Sequence, residues 1–253
     1  MPTGNWAECG WSRMENESLA GTRWTLVLAA ARIENPEPAM RALTELCQTY
    51  WPPLYAYLRR QGCDPHEAED LTQEFFSRLL AKNYLADADP AKGKFRSFLL
   101  ASLKHFLANE RDRARAQKRG GGETVIALDA LGEEARRRIE PLDNESPDKV
   151  FDRQWALTLL EQALKRLRME FAGGGREKLF DELKGFLTGD APAQSHAEIG
   201  AKCGLSEGAV KVAVHRMRRR YRRLLREEVA QTVAAAEEID REIRELFSAF
   251  QPG

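Results

Sequence analysis

Cysteine is scarce in this 253-residue chain: Cys9, Cys47, Cys63 and Cys203 are scattered, with no Cys-x-x-Cys pair. Histidine is equally sparse, at four residues. A zinc site needs such ligands at short, repeated spacings, so no metal and no cofactor is expected. The cysteines read as free thiols of a reducing compartment. No apolar run approaches the roughly 18–20 residues needed to cross a bilayer. The first residues lack the basic start and apolar stretch of a signal peptide, so the expectation is a soluble, cytoplasmic chain. Alternating apolar runs bounded by paired turn signals are missing, as are internal repeats, which argues against sheet and solenoid. There is no phosphate loop, no Gly-x-Ser-x-Gly and no carboxylate cluster at metal spacing, so catalysis is not expected. Gly173-Gly174-Gly175, with no Lys-Ser/Thr after it, is a plain breaker.

What is present is helical periodicity. The reading is all-α: two helical domains joined by a flexible linker, with a C-terminal helical extension. Residues 1–21 form a leader without periodicity, in which Trp6 and Trp11 stand out. The first domain covers 22–119. Trp24, Val27, Leu28 and Ala31 share one face, with Thr22 placed as a cap and Asn35-Pro36 as a break. Leu43, Leu46, Cys47 and Tyr50 begin the next apolar face, which runs through Trp51-Pro52-Pro53 into Leu54, Tyr57 and Leu58. The two prolines are expected in a first helical turn, where a missing N–H costs nothing. Asp64-Pro65 caps a third helix reaching about Lys82, with Ala68, Leu71, Phe75 and Leu79 inward. After a loop at 83–93, a long helix runs from Phe95 to about Arg119. Residues 120–149 are Gly-rich and acidic and form the linker. A second domain covers 150–228, and 229–253 is the extension.

Neither sign of charge is in excess overall, at 39 acidic and 39 basic residues, but the two are segregated. Residues 92–119 carry nine Lys/Arg against two acids, and 207–226 carry eight against one. Two basic helices in an otherwise acidic chain suggest two separate nucleic-acid contacts.

Residues 195–221 have the spacing of a helix-turn-helix. Gly200 is the small residue where the second helix crosses, Gly204 suits a positive-φ turn, and Ser206 is a good N-cap. Ile199, Leu205, Val210 and Val214 supply the apolar contacts. In docked motifs of this kind the start of the second helix reaches base edges. Glu207, Lys211 and His215 are therefore assigned to bases, and Arg216, Arg219, Arg220 and Arg223 to phosphates. Six phosphate contacts from this helix would give a log–log salt slope of about −5.

The runs Tyr50-Trp51-Pro52-Pro53-Leu54-Tyr55 and Pro65-His66-Glu67-Ala68-Glu69-Asp70-Leu71-Thr72-Gln73-Glu74-Phe75-Phe76 resemble region two of the extracytoplasmic-function (ECF) subfamily of sigma-70-type RNA polymerase sigma factors. Ser195–Leu225 resembles their region four. The resemblance implies a factor that binds core RNA polymerase and directs promoter recognition and DNA opening. It implies that Asp70 and Gln73, with Glu74 beside them, dock on the polymerase. It further implies that the loop after 82 and the basic helix engage the minus-ten promoter element, through Lys94, Arg96, Lys104, His105, Asn109 and Arg113. Phe95 and Phe98 have two readings, as base-stacking surfaces or as core. Promoter DNA and core polymerase are the implied partners, with an anti-sigma protein or a kinase as candidate regulators. The alternative from the residues alone is a stand-alone helix-turn-helix regulator that never docks on polymerase.

The two promoter elements lie about 70 Å apart, at 34–36 Å per duplex turn. A thirty-residue linker reaches about 100 Å when extended. In the tail, Val229, Val233, Ala236, Ile239, Ile243, Leu246 and Phe250 fall at helical spacing. They are expected to form one amphipathic helix packed on region two or four as a regulatory clasp.

Overall fold

The computed structural model describes residues 36–81, 93–117, 145–188 and 194–251. The leader, the helix expected from Thr22, the loop at 83–92 and most of the linker lie outside the described residues. Within them the chain forms nine α-helices, one 3-10 turn and no strand. No described helix is long and apolar enough to cross a membrane.

Helix α1 spans Pro36–Arg60, α2 spans Pro65–Ala81 and α3 spans Phe95–Gln117. The expectation that Pro52 and Pro53 open a new helix is corrected, because α1 runs through both. Each proline removes one intrahelical N–H donor. Packing compensates for this loss: Tyr50, Leu54, Tyr57 and Leu58 on the same stretch are all buried. Asp64 caps α2, its side chain accepting from the Glu67 N–H at 2.9 Å.

Helix α4, Pro147–Gly173, starts on a Ser146 cap and ends at Gly173-Gly174. Its first half belongs to a core built with α1, α2 and α3. Trp155 is fully buried there and stacks on Tyr50, with ring centroids 4.3 Å apart. Its second half, through Ala163, Leu167 and Phe171, joins a second core with Phe180, Leu183, Ile199, Val210, Val214, Met217 and Leu224. One helix therefore serves both cores. The second core is completed by α5 (Glu177–Leu183), the single-turn α6 (Gly185–Thr188), α7 (His196–Cys203) and α8 (Glu207–Ala230).

The tail is not the single helix expected. After α8 the chain turns, makes a 3-10 turn at Ala236–Glu238, and resumes as α9, Ile239–Ser248. The break lets Val233 enter the first core while Ala236 stays exposed. It also lets the Thr232 carbonyl accept from the Phe95 N–H at 2.9 Å, filling a donor left open at the start of α3.

Candidate nucleic-acid interface

The helix-turn-helix is closed by local chemistry. Ser195 and Glu198 form a capping box on α7, and the two Ser195 hydrogen bonds hold the Glu198 carboxyl below its usual range. Gly204 ends α7 at φ 67°, and the Leu205 N–H donates to the Gly200 carbonyl at 2.8 Å. Ser206 then caps α8 by accepting from the Ala209 N–H at 3.2 Å. With Val210, Val214 and Met217 buried, the opposite side of α8 faces solvent.

Glu207, Lys211, His215, Arg216, Arg219 and Arg223 all lie on exposed positions. Lys211 pairs with Glu207 at 2.7 Å, which lowers the Glu207 carboxyl. Arg220 is different: its guanidinium grips Glu170 on α4, with Nε donating at 2.8 Å, and also reaches Glu227 at 3.3 Å. Only 16% of its side chain is exposed. It is directed at its own domain in this state rather than at a phosphate, because a carboxylate one helix away already satisfies its fork. Arg218 likewise donates twice to the Phe186 carbonyl, at 3.1 and 3.0 Å. Tyr221 closes the same seam, its hydroxyl donating to Leu160 at 3.1 Å and its phenol pushed by burial to about 12.

On α2, Asp70 and Ser77 are exposed, whereas Gln73 is buried and Glu74 is held by Arg78 at 2.5 Å. Arg78 also pairs with Glu110, joining α2 to α3, and its guanidinium sits over the Phe106 ring. The expected patch of Asp70, Gln73 and Glu74 is therefore open chiefly at Asp70.

Along α3, Phe95 is fully buried among Tyr50, Phe98 and Trp155, so it is core. Leu99, Leu103, Phe106 and Leu107 continue that buried stripe. His105 and Asn109 are exposed, and Arg113 is exposed and pairs with Glu110 at 3.2 Å. Lys104 is exposed but meets Asp148 of α4 at 2.8 Å, a contact that raises its pKa. Lys94 and Arg96 are covered. Lys94 lies 2.7 Å from Glu242 and also pairs with Glu245. Arg96 holds both Glu242 oxygens, at 2.9 and 3.1 Å, and pairs with Asp152. Asp152 sits above the usual carboxylate range, because its burial outweighs the attraction of Arg96.

Asp148, Asp152, Glu242 and Glu245 were not singled out by sequence reasoning. The signal lay at Glu242, which shares the α9 face of Ile239, Ile243 and Leu246 and is fully buried. A carboxylate on an apolar stripe demands a cation opposite.

Comparisons with known proteins bear on both halves of the molecule. Residues 46–119 match the sigma-70 region 2 family. The chain is similar to the ECF RNA polymerase sigma factor SigE of Mycolicibacterium smegmatis, with 27% identity over 203 residues. That alignment covers 79% of this chain and 68% of the relative. No solved structure matches the chain.

Proposed function

We infer that this chain belongs to the ECF branch of the sigma-70-type RNA polymerase sigma factors, and that it directs transcription initiation. The observation that carries this reading is one of order: a region 2 match over 46–119, then a helix-turn-helix on α7 and α8, in one chain. The factor acts in the cytoplasm and carries out no covalent chemistry. It brings core RNA polymerase to promoter DNA and supports strand opening.

The roles divide by element. Asp70 on α2 is the accessible anchor for polymerase, with Gln73 and Glu74 reached as α2 seats. Lys94, Arg96, Lys104, His105, Asn109 and Arg113 line the path of the minus-ten element along α3, where phosphates need cations as the strands separate. Glu207, Lys211 and His215 read the upstream element. Arg216, Arg219 and Arg223 hold its phosphates, while Arg220 braces α8 against α4. The domain division follows as a leader at 1–21, region two at 22–119, a linker at 120–149, region four at 150–228 and an extension at 229–253. An anti-sigma protein or a kinase would act on this assembly from outside.

Run-off transcription with core polymerase on genomic fragments, with and without the chain, tests the reading directly. Transcripts that depend on the chain are expected. Because Asp70 is exposed, Asp70→Ala should leave folding intact, weaken retention on immobilised core polymerase at least about tenfold, or about 1.4 kcal/mol, and leave duplex binding by the helix-turn-helix unchanged. Full transcription by the Asp70→Ala variant would remove that residue from the docking face. Absence of any chain-dependent transcript would favour a stand-alone regulator.

A further inference from the structure

The cations proposed to meet the minus-ten strand are already occupied from within the molecule. Asp148 and Asp152 lie one turn apart on α4, and Glu242 and Glu245 lie one turn apart on α9. Asp148 pairs with Lys104, Asp152 with Arg96, and Glu242 and Glu245 each with both Lys94 and Arg96. Four carboxylates from two elements thus run along three cations, Lys94 just before α3 and Arg96 and Lys104 on it. Lys94 and Arg96 are left with only 12% and 11% of their side chains exposed, and Glu242 with none. Glu242 offers Arg96 two oxygens side by side, the arrangement with which a phosphate meets a guanidinium.

The tail is fixed to α3 and α4 at both its ends. The Phe95 N–H donates to Thr232 at the start of the turn, and Lys149 Nζ donates to the Gln251 carbonyl at 2.9 Å beyond α9. Leu246 is buried and Ile239 and Ile243 pack half-buried on the first core, whereas Phe247 is exposed, so the apolar hold on this ten-residue helix rests on three side chains. A short helix held by three apolar side chains and a set of ion pairs is the kind of element that opens locally and yields to a competing polyanion. Buried ion pairs are also an inefficient way to fasten a helix, since well-packed apolar residues would serve as well without the desolvation cost. What the carboxylates add is occupancy of a nucleic-acid surface.

We propose that α9 and the acidic start of α4 form an internal stand-in for the promoter strand, closing Lys94 and Arg96 to DNA in the free factor and swinging away on loading. The proposal rests on the reading of α3 as the minus-ten surface, and it deepens that reading by naming what regulates it.

The test uses the full chain without polymerase and a short, fluorescein-labelled, mixed-sequence single strand followed by anisotropy. Glu242→Gln with Glu245→Gln keeps the shape of α9 and removes the two charges it places on Lys94 and Arg96. The expected result is binding about tenfold tighter, with a log–log salt slope steeper by about 1.4 as two cations become available. Glu177→Gln with Glu237→Gln, two exposed acids elsewhere, changes net charge equally and should have little effect. Adding Lys94→Ala and Arg96→Ala to the Glu242/Glu245 variant should cancel the gain. Equal affinity of wild type and variant, or an equal gain from the exposed control, overturns the proposal.

A second measurement needs no variant. In the wild-type chain, amine-reactive labelling read by mass spectrometry should modify Lys94 much more slowly than Lys211, whose side chain is 59% exposed. Comparable rates would mean that the clasp stands open and would end the idea. Retention on core polymerase, measured in parallel, separates the two readings. If polymerase holds the wild type but Glu242→Gln/Glu245→Gln gains no DNA affinity, the clasp fails and the sigma assignment stands. If the gain occurs with no polymerase binding, the reverse holds.

Discussion

At Gly200 an added Cβ would lie 2.5 Å from the Leu205 carbonyl oxygen, a backbone atom that cannot rotate away. That carbonyl belongs to the turn that brings α8 across α7, so relief requires the two helices to part. Gly208, the second residue of the motif's second helix, has nothing within 4 Å of the same added atom. Gly200→Ala is therefore expected to cost about 2–3 kcal/mol, in the range of other overpacked sites. In a chain of this size that lowers the thermal midpoint by roughly 5–10 °C. Gly208→Ala should be neutral or stabilise by up to about 0.5–1 kcal/mol through helix propensity. A circular-dichroism melt of the two variants checks the pair. If Gly200→Ala melted with the wild type, the close crossing would be refuted.

Among elements, α8 shows how three-dimensional pairing edits a count made along the chain. Eight Lys/Arg between 207 and 226 read as an unbroken cationic helix, and six phosphate contacts would follow from them. In the fold, Arg220 is held by Glu170, Arg226 by Asp240, Arg218 by the Phe186 carbonyl and Lys211 by Glu207. Arg216, Arg219, Arg222 and Arg223 remain on exposed positions, and on the proposed function these four are the ones left to meet phosphates. Four contacts at about −0.9 each give a duplex salt slope of about −3.6 rather than about −5. Titrating duplex binding against potassium chloride distinguishes these values, and a slope near −5 would show that the internal pairs open on docking. The same contrast explains what was legible in advance. Helix ends marked by Pro65, Gly173, Gly204 and Ser206 fell where capping chemistry puts them, since those signals are local. The helix-turn-helix was equally plain, because glycine placement and apolar spacing together define it, whereas Phe95 had two readings until the packing of Tyr50 and Trp155 around it made it core. The turn after Ala230 was not, since it is made by Val233 entering a distant core and by Thr232 meeting Phe95. Nor were Glu242 and Glu245 over Lys94 and Arg96, since these partners lie some 150 positions apart along the chain.

For the whole molecule the decisive element is α4. Its 27 residues span about 40 Å as a continuous helix. Its first half is locked to α1 by Trp155 on Tyr50, and its second half carries the core beneath the recognition helix. On the proposed function, the two promoter elements lie about 70 Å apart, well beyond the roughly 40 Å of α4 that joins the two cores. Engagement of both elements is then expected to draw the first half of α4 off α1, taking Asp148 from Lys104 and Asp152 from Arg96 in the same movement. Release of the α9 clasp and separation of the cores then become one transition rather than two. A fluorescent donor at Ser97 on α3 and an acceptor at Ala201 on α7, both exposed positions, would follow it once the native cysteines are replaced by alanine. Energy transfer should be high in the free chain and fall as core polymerase and a responsive promoter fragment are added together, with the inferred separation lengthening toward about 70 Å. Trp155→Ala, by loosening α4 from α1, should shift the free chain partway to the low-transfer state and cost about 3–5 kcal/mol of stability. Transfer that stayed high in a transcribing complex would mean that α4 keeps both cores joined on DNA, and that the upstream element is reached by some other route.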